Sequence, residues 1–418
     1  MLVQGPRGTR DILPSEVGAW QKVESLIREL CARYGYEEIR TPMFERTELF
    51  QRGIGDTTDV VEKEMYTFTD RGGRSLTLRP ENTASAVRAY LQNKLYAGAT
   101  PTKLFYIGSM FRYDRPQAGR YREFHQFGVE ALGEQSPVLD AEVILLAMDF
   151  LQNLGLTDLT LHLNSVGCPT CRPVYRQKLQ DYFRPHVDEL CEDCRARLER
   201  NPLRILDCKH ERCHALAQDA PKIVDTLCEE CATHFEAVQK YLQAAGASFA
   251  RDPLLVRGLD YYTKTAFEIK YPPLGAQSAV AGGGRYDGLV EEIGGPATPG
   301  MGFAVGLERA LLAVEKQGLN TETKARMDVF FVALGAEAMH LAFRFLHEAR
   351  AKGLRAGMDV ASHGLKAQMK QAAKRGAKCV VLLGENEMQA RAVTLKNMAT
   401  GTQTTIPFAE LWSAIQKA

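Results

Sequence analysis

A polar wall is predicted on the segment 124–130, where polar and apolar residues alternate as they do in a β-strand. Side chains alternate across a strand, so Gln126, Gly128 and Glu130 share one face. An amide and a carboxylate on either side of a glycine predict one wall of a polar binding pocket. The segment alone leaves open the alternative of an ordinary solvated hairpin face.

Three arginines stand where a phosphate-bearing substrate would need them. Arg112 ends the strand before the polar wall, and arginine can grip a phosphate through two parallel N–H donors. Arg257 lies in an otherwise apolar strand entry, where an unpaired charge is costly; a structural ion pair with Asp260 or another acid is the alternative. Arg309 falls in the first turn of a predicted helix, where its charge opposes the helix dipole and favours a functional role.

A run of glycines, Gly282, Gly283 and Gly284, precedes Arg285. Glycine lets a backbone approach a ligand closely, although most such runs are turns. The chain contains neither the dinucleotide fingerprint GxGxxG nor the P-loop GxxxxGK[ST]. A nucleotide would therefore be held by other groups, and arginines are the natural candidates.

Eight of the ten cysteines lie in four close pairs within a short part of the chain. Eight thiols at such spacings could form two tetrahedral zinc sites of four thiolates each. Such sites would be structural, because four thiolates leave no open coordination position. Free thiols on packed helices are the other interpretation. The pairs are Cys168 with Cys171, Cys191 with Cys194, Cys208 with Cys213, and Cys228 with Cys231.

The elements around these residues predict a mainly antiparallel α+β body. Amphipathic periodicity predicts a helix over residues 16–34 and another over 83–94, with Asn82 or Thr83 as its N-cap. A long β-hairpin is predicted over 103–133. The other predicted elements are strands at 38–42, on both sides of a turn at 70–73, at 254–270, 277–283 and 301–306, and helices at 138–154 and 307–316.

The domain organisation follows from a change of pattern along the chain. The 418 residues suggest two or three domains. The strand signal vanishes over 167–250, which predicts a helical, cysteine-rich insertion in a body spanning 1–322. A polar linker is predicted at 317–326. Strands and helices alternate over 327–418, as in a small α/β domain.

Composition excludes several classes of protein. Hydrophobic residues make up 45% and charged residues 25%, which is ordinary for a globular protein and argues against disorder. The longest apolar runs are far shorter than the ~18 residues of a membrane helix, so no membrane association is expected. Ten cysteines and no secretory signal predict a reducing, cytoplasmic location.

The charge is unevenly distributed. From Arg326 onward the chain has 13 of its 52 basic and 7 of its 51 acidic residues, a net charge of +6, against −5 for residues 1–325. Lys366, Lys370 and Lys374 recur every four residues on a predicted helix and form one stripe. A solvated helix face is the usual explanation of such a stripe, and a polyanionic partner is the other.

Taken together, these segments resemble histidyl-tRNA synthetase of the bacterial type, a class II aminoacyl-tRNA synthetase. The stretches Arg-Gly-Leu-Asp-Tyr-Tyr at 257–262 and Gly-Gly-Arg-Tyr-Asp-Gly at 283–288 are specific to the histidine enzymes and their close relatives. One residue departs from the family pattern, since Asn82 replaces a glycine. The resemblance covers essentially the whole chain, including the segments 7–11, 78–83, 111–126, 255–262, 283–288 and 302–309.

The resemblance implies a class II antiparallel-sheet catalytic domain with a helical insertion, followed by an α/β anticodon-binding domain. It implies a cytoplasmic homodimer, with Pro42 marking the interface motif. ATP with Mg²⁺ and L-histidine would give histidyl-adenylate and pyrophosphate, and histidine would pass to the 3′ end of tRNA(His) with release of AMP. The main rival is the regulatory subunit of ATP phosphoribosyltransferase, which typically lacks the C-terminal module and degrades the arginine set. A plain tRNA-binding protein would not explain the polar set Glu81, Gln126 and Glu130.

The resemblance also implies roles for individual residues. Arg112 would hold the α-phosphate and Arg257 would stabilise transition-state charge. ATP would further contact Arg120, Phe124 and Arg309. Histidine would contact Glu81, Asn82, Thr83, Gln126, Glu130, Tyr261, Tyr262 and Tyr286. The tRNA would contact Arg115, Gln117, Lys366, Lys370 and Lys374. The family's insertion does not generally depend on metal, so zinc and free thiols both stay open.

Overall fold

The computed structural model describes residues 3–55, 58, 60–117, 119–319, 327–361 and 363–417. The chain divides into two compact units, and the main division falls between residues 321 and 322. Residues 320–326 of the predicted linker lie outside the described part of the chain. Each unit has its own sheet and hydrophobic core, and the α+β class is confirmed.

The large unit is built on an eight-stranded, mainly antiparallel sheet in the order β1-β5-β6-β11-β10-β9-β7-β8, with a small sheet of β2, β4 and β3 beside it. Its strands are β1 (Glu37–Glu38), β2 (Phe44–Arg46), β3 (Tyr66–Thr69), β4 (Ser75–Leu78), β5 (Thr102–Phe111), β6 (Glu123–Leu132), β7 (Thr160–Ser165), β8 (Ala250–Arg251), β9 (Thr263–Lys270), β10 (Ala279–Arg285) and β11 (Gly300–Gly306). Its helices are α1 (Val17–Arg33), α2 (Thr47–Ile54), α3 (Thr83–Gln92), α4 (Pro137–Asn153), α5 (Cys171–Phe183), α6 (Glu192–Arg200), α7 (Glu211–Gln218), α8 (Glu229–Ala244), α9 (Leu289–Glu292) and α10 (Leu307–Lys316).

One face of the sheet is apolar and packs against helices. Phe127 and Val129 of β6 are fully buried in a core that also contains residues of α1, α4 and α10. The alternation of a strand then turns Gln126, Gly128 and Glu130 to the opposite face. The predicted strand over 124–130 and its division into a core face and a polar face are confirmed.

Two local predictions are wrong, and a third is confirmed in position but not in its hydrogen bond. The predicted strand at 38–42 is only the two-residue β1. The strand predicted over 254–270 begins only at Thr263, because residues 254–262 form turns whose polar groups bind the insertion instead of a ladder. The N-cap position of α3 is Asn82, as predicted. Its side chain makes no cap hydrogen bond, because the Glu81 carboxylate accepts from the first helical N–H groups.

The chain between β7 and β8 forms a helical insertion, as the loss of strand signal predicts. It contains α5, α6, α7 and α8, joined by short 3-10 turns. Its apolar core contains large side chains such as Leu179 and Phe183 and includes three of the cysteines, Cys194, Cys208 and Cys213. Cysteine is among the residue types most often found fully buried, and here it forms part of the core.

The small unit is a five-stranded sheet with helices on both faces. Its parallel strands β13, β12 and β14 continue into antiparallel β15 and β16. The strand β16 and the helices α13 and α14 were not predicted from the sequence. The strands are β12 (Val329–Ala333), β13 (Ala356–Met358), β14 (Cys379–Leu383), β15 (Ala392–Asn397) and β16 (Gln403–Pro407), and the helices are α11 (Ala336–Ala351), α12 (Leu365–Lys374), α13 (Glu385–Ala390) and α14 (Leu411–Lys417).

Among the described residues, none of the helices has both the length and the apolar character needed to cross a bilayer.

Candidate active site

The polar wall of β6 ends in a buried carboxylate. Glu130 is 1% exposed and accepts hydrogen bonds from the hydroxyls of Tyr286 and Tyr106, the latter at 3.2 Å. A glycine is needed at position 128, because a Cβ atom there would lie 2.4 Å from the Tyr106 ring that crosses it. The strand thus combines a carboxylate with the space for aromatic donors to reach it.

The environment of Glu130 keeps its carboxyl protonated up to an unusually high pH. Burial is the main cause, and together with the nearby Glu81 carboxylate it raises the pKa of Glu130 to about 8. The Tyr286 hydroxyl opposes this by donating to the ionised form. A carboxyl with such a pKa can exchange its proton near neutral pH, which is typical of a functional site.

The raised pKa of Glu130 predicts how stability depends on pH. The folded protein binds this proton more tightly than the unfolded chain, where the group titrates near 4.5. Stability is therefore lost as pH rises from about 4.5 to about 8, by up to about 1.4 kcal/mol per pH unit for this group. Glu130→Gln cannot ionise, so wild type should lose stability relative to this variant across that window. Denaturant unfolding of both proteins at pH 5.5 and 8 checks this, and a constant difference between them would contradict it.

A second carboxylate stands at the beginning of α3. Glu81 is buried, and its oxygens accept from the backbone N–H groups of Thr83 and Ala84 at 2.6 and 3.0 Å. Burial raises the pKa of Glu81 in spite of these bonds. Asn82 is engaged elsewhere, because its amide oxygen accepts from Thr41 at 2.6 Å and from Arg79 at 3.2 Å.

Three tyrosines form a buried cluster beside Glu130. The rings of Tyr261 and Tyr262 are 4.7 Å apart between centroids, and those of Tyr261 and Tyr286 are 5.7 Å apart. Burial raises the pKa of all three phenols, which stay neutral hydrogen-bond donors. Within the described part of the chain, the buried amide oxygen of Gln126 has no hydrogen-bond partner. A polar ligand would satisfy that amide oxygen.

Arg257 is neither isolated nor at a strand entry, so the premise of its sequence-based interpretation is wrong. It lies in the turns before β9, and its guanidinium donates to Glu268 at 2.6 Å. The alternative of an ion pair with an acid is confirmed, and that acid is Glu268. The guanidinium carbon is 5.6 Å from the centre of the Tyr262 ring. A Cβ on Gly282 would lie 2.6 Å from the same guanidinium, so this glycine of the run makes room for the arginine.

Three further arginines, Arg112, Arg120 and Arg309, lie together near the loop end of the β5–β6 hairpin, away from Glu130. Arg112 places its guanidinium 4.0 Å from the centre of the Phe124 ring and donates to the Tyr121 carbonyl at 3.1 Å. Burial and the neighbouring charge of Arg120 lower the pKa of Arg112 to about 10. The same two causes lower the pKa of Arg309. These side chains are close enough to repel one another, and a polyphosphate would relieve that repulsion.

Acidic side chains compensate the positive charge of Arg120. Arg120 pairs with Asp114 and lies 3.5 Å from a carboxylate oxygen of Glu64. Arg309 donates to the Ala279 carbonyl at 2.9 Å.

Sequence reasoning missed two residues that complete the site. Tyr106 bonds Glu130, and Glu268 pairs with Arg257. Hairpin pairing could have indicated Tyr106, because it stands opposite Gly128. Glu268 stands opposite Gly282 on a neighbouring strand, and only the fold reveals that pairing.

The residues expected to meet tRNA lie on exposed surfaces. Arg115 and Gln117 are exposed in the loop of the β5–β6 hairpin. On α12 the three lysines Lys366, Lys370 and Lys374 are exposed, while Gln368 and Ala372 on the other side are buried. The predicted stripe is thus an exposed face of α12.

The antiparallel sheet, the arginines on its hairpin and on α10, and the carboxylate pocket on the same sheet face define the catalytic domain of a class II aminoacyl-tRNA synthetase. A family model for histidyl-tRNA synthetase matches residues 8–310, and one for an anticodon-binding domain matches residues 328–418. The chain belongs to the histidyl-tRNA synthetase family, as the sequence motifs predict.

Individual members of the family are similar to this chain over nearly its full length. The chain is 58% identical to histidine–tRNA ligase of Desulforudis audaxviator over 417 residues, covering 100% of this chain and 99% of the relative. It is 57% identical to the ligase of Pelotomaculum thermopropionicum over 406 residues, covering 97% and 96%. The crystal structure of apo S. aureus histidyl-tRNA synthetase superposes with a TM-score of 0.85 at 40% identity, covering 99% of this chain and 100% of that one.

Proposed function

We propose that this chain activates L-histidine with ATP to histidyl-adenylate and transfers the histidyl group to the 3′ end of tRNA(His), releasing pyrophosphate and AMP. The observation that carries this is the arrangement along β6, with Phe124 beside the arginines and Glu130 in the carboxylate pocket. At about 3.3 Å per residue these two positions are about 20 Å apart, a span suited to an amino acid joined to a nucleotide.

The carboxylate pocket would select histidine. Glu81 and Thr83 bind the α-amino group, and Gln126 assists with its unpartnered amide oxygen. Glu130 and the three tyrosines read the imidazole nitrogen groups. Selection of this kind is strong, because an analogue without the N–H groups leaves buried polar groups of the pocket without the hydrogen bonds that histidine would supply.

The arginines would drive the first step. An oxygen of the histidine carboxylate attacks the α-phosphorus of ATP, the bond to the β-phosphate oxygen breaks, and pyrophosphate leaves. This step needs positioning and positive charge more than acid–base chemistry. Arg112 holds the α-phosphate, Arg257 stabilises the charge that develops there, and Arg120, Phe124 and Arg309 hold the rest of ATP. ATP enters as its Mg²⁺ complex, so this ion is part of the substrate.

The second step needs tRNA at the same site. Arg115 and Gln117 at the hairpin tip face the acceptor end, and the 3′-terminal hydroxyl attacks the acyl carbon of the adenylate with loss of AMP. The regulatory rival is disfavoured by the C-terminal unit and by the presence of Arg112, Arg257 and Arg309.

The proposed assembly is a homodimer in the cytoplasm. The small sheet beside Pro42 exposes three large apolar side chains, Met43, Phe44 and Phe68, at 54%, 51% and 45%. Apolar groups exposed together in this way are typical of a protein interface. All ten cysteines are free thiols, as a reducing compartment favours. The proposal also includes structural zinc in the cysteine-rich insertion. This zinc takes no part in the chemistry.

Charging of unfractionated tRNA tests this function. The protein is incubated with ATP, bulk tRNA and each of the twenty amino acids in radioactive form. We expect acid-precipitable label with histidine alone, at a plateau set by the share of tRNA(His). No histidine acceptance, or acceptance of a second amino acid at a comparable rate, would contradict the proposal.

The exposed lysines of α12 supply a prediction about tRNA. Changing Lys366, Lys370 and Lys374 together to Gln removes three charges and keeps similar helix propensity. We expect the KM for tRNA to rise and the salt dependence of tRNA binding to flatten by about one to two units. Histidine-dependent pyrophosphate exchange should stay unchanged.

The matched control keeps the charges and changes the side chains. The triple Lys→Arg variant should retain the wild-type salt slope, measured as tRNA affinity over a series of KCl concentrations. An unchanged slope in the Gln variant would mean that the face of α12 is only solvated. Lost exchange activity in that variant would show that the two units are not separable in function.

A further inference from the structure

The eight paired cysteines gather into two groups of four. In each group the four sulfur atoms all lie within 4.8 Å of one another. The outer cluster joins the first and last pairs along the chain, and the inner cluster joins the two middle pairs. The outer cluster is Cys168, Cys171, Cys228 and Cys231, and the inner cluster is Cys191, Cys194, Cys208 and Cys213.

The sulfur spacing fits a single tetrahedral ion in each cluster. Four thiolates at about 2.3 Å from a zinc ion stand about 3.8 Å from each other. The observed Sγ–Sγ distances include 3.7 Å for Cys168 and Cys171, and 3.9 Å both for Cys168 with Cys228 and for Cys191 with Cys208. A disulfide requires about 2.05 Å, and all eight thiols are free.

Backbone donors point at the sulfur atoms. The N–H group of Cys228 donates to the sulfur of Cys171 at 3.1 Å, and that of Cys191 donates to the sulfur of Cys213 at 3.2 Å. Each bond joins one pair of a cluster to the other pair. Such donors stabilise a thiolate more than a neutral thiol, so they favour the form that binds metal.

We infer that the insertion holds two structural zinc ions in a nested arrangement, because the residues of the inner cluster all lie between the two pairs of the outer cluster along the chain. The inference rests on cysteine geometry and is independent of the proposed aminoacylation activity. Four sulfurs around one centre suit zinc, whereas an iron–sulfur cluster with bridging sulfides needs its thiolates further apart. Four protein ligands fill the coordination sphere, so neither ion would activate a substrate.

The two ions would cross-link the helices of the insertion. The outer ion joins positions 168 and 228, which are 60 residues apart, and so closes the insertion where it leaves the sheet. Next to it, Arg172 of α5 donates to the Asp260 carbonyl at 3.2 Å, and Asp260 belongs to the turns that carry Arg257. Binding energy at such a site becomes folding energy.

Paired substitutions test both the metal and the nested pairing. Full-length protein purified without chelator should contain two zinc ions per chain by elemental analysis. Cys171→Ser with Cys231→Ser should leave one ion, and so should Cys194→Ser with Cys213→Ser. If consecutive pairs shared an ion instead, each double variant would damage both sites and retain none. Cys31→Ser, at a buried thiol outside both clusters, is the control and should retain two.

A titration of the metal-depleted wild type with Co²⁺ keeps the inference testable if a variant misfolds. The absorption of tetrahedral cobalt thiolate should rise to a sharp end point at two equivalents, and resistance of the insertion to trypsin should return with it. Less than about half an equivalent of zinc with unchanged trypsin resistance after chelation would overturn the inference. So would a double variant with no zinc and normal folding, or mononuclear iron found in place of zinc.

Discussion

Replacing Arg257 by alanine is expected to slow adenylate formation by about 10²–10³-fold, the usual cost of removing one preorganised group that stabilises developing charge. Its guanidinium is held in place by Glu268 at 2.6 Å and by the adjacent Tyr262 ring, and Gly282 leaves the space that it occupies. A group fixed in this way needs no reorganisation when charge develops on the α-phosphate. Single-turnover formation of histidyl-adenylate measures the effect.

Because Arg257 forms an ion pair with Glu268, a second variant is needed for comparison with Arg257→Ala. Glu268→Gln removes the partner acid and leaves Arg257, so it should slow adenylate formation much less than Arg257→Ala. Both side chains are about one-fifth exposed, so water can solvate the partner left behind and global unfolding is not expected. Activity within a few-fold of wild type, or a protein that simply unfolds, would rule out the assigned role of Arg257. An equal loss in both variants would reduce Arg257 to a structural partner of Glu268.

Glu130→Gln is expected to lower kcat/KM for histidine by about 10²–10³-fold at pH 8.5, with little change in the KM for ATP. The wild-type carboxylate accepts charge-assisted bonds in a buried site, and a neutral amide of the same shape forms weaker ones. Because the pKa of Glu130 is about 8 in the free protein, the wild-type advantage should shrink as pH falls to 6.5. Steady-state exchange kinetics over this pH range measure both effects.

Tyr106→Phe separates a direct role of Glu130 from its packing. This variant removes one hydroxyl that bonds the carboxylate at 3.2 Å and keeps the ring over Gly128. It should lower kcat/KM for histidine by no more than about tenfold, the value of one ordinary hydrogen bond. A wild-type kcat/KM for histidine in Glu130→Gln at pH 8.5 would contradict the assignment of this pocket to the imidazole.

Sequence periodicity predicted the site best where one strand carries it. The alternation of Gln126, Gly128 and Glu130 is a local property of β6, and the structure has the same faces. The role of Arg257 was harder to predict. Its partner Glu268 lies on β9 opposite Gly282 of β10, and no local sequence pattern encodes the pairing of these two strands. The turns around Arg257 were also read as a strand, since their apolar residues resemble one while their polar groups bind the insertion.

The cysteines show the same limit in another form. Their spacing indicated two sets of four, and sequence alone could not tell which pairs belong together. The pairing depends on the fold, which brings the beginning of α8 to the beginning of α5 and the beginning of α7 to the beginning of α6. Asn82 is a smaller case, because the capping pattern did not reveal that Glu81 would take the helix N–H groups.

The central claim is that one strand joins a pocket for histidine to a cluster of arginines for ATP, and ATP–pyrophosphate exchange tests it most directly. The assay is run without tRNA and with each of the twenty amino acids in turn. The account predicts exchange that depends on histidine and is absent, within detection, with the other nineteen. Exchange with no amino acid would favour the regulatory alternative, and exchange driven by a different amino acid would contradict the reading of the Glu130 pocket.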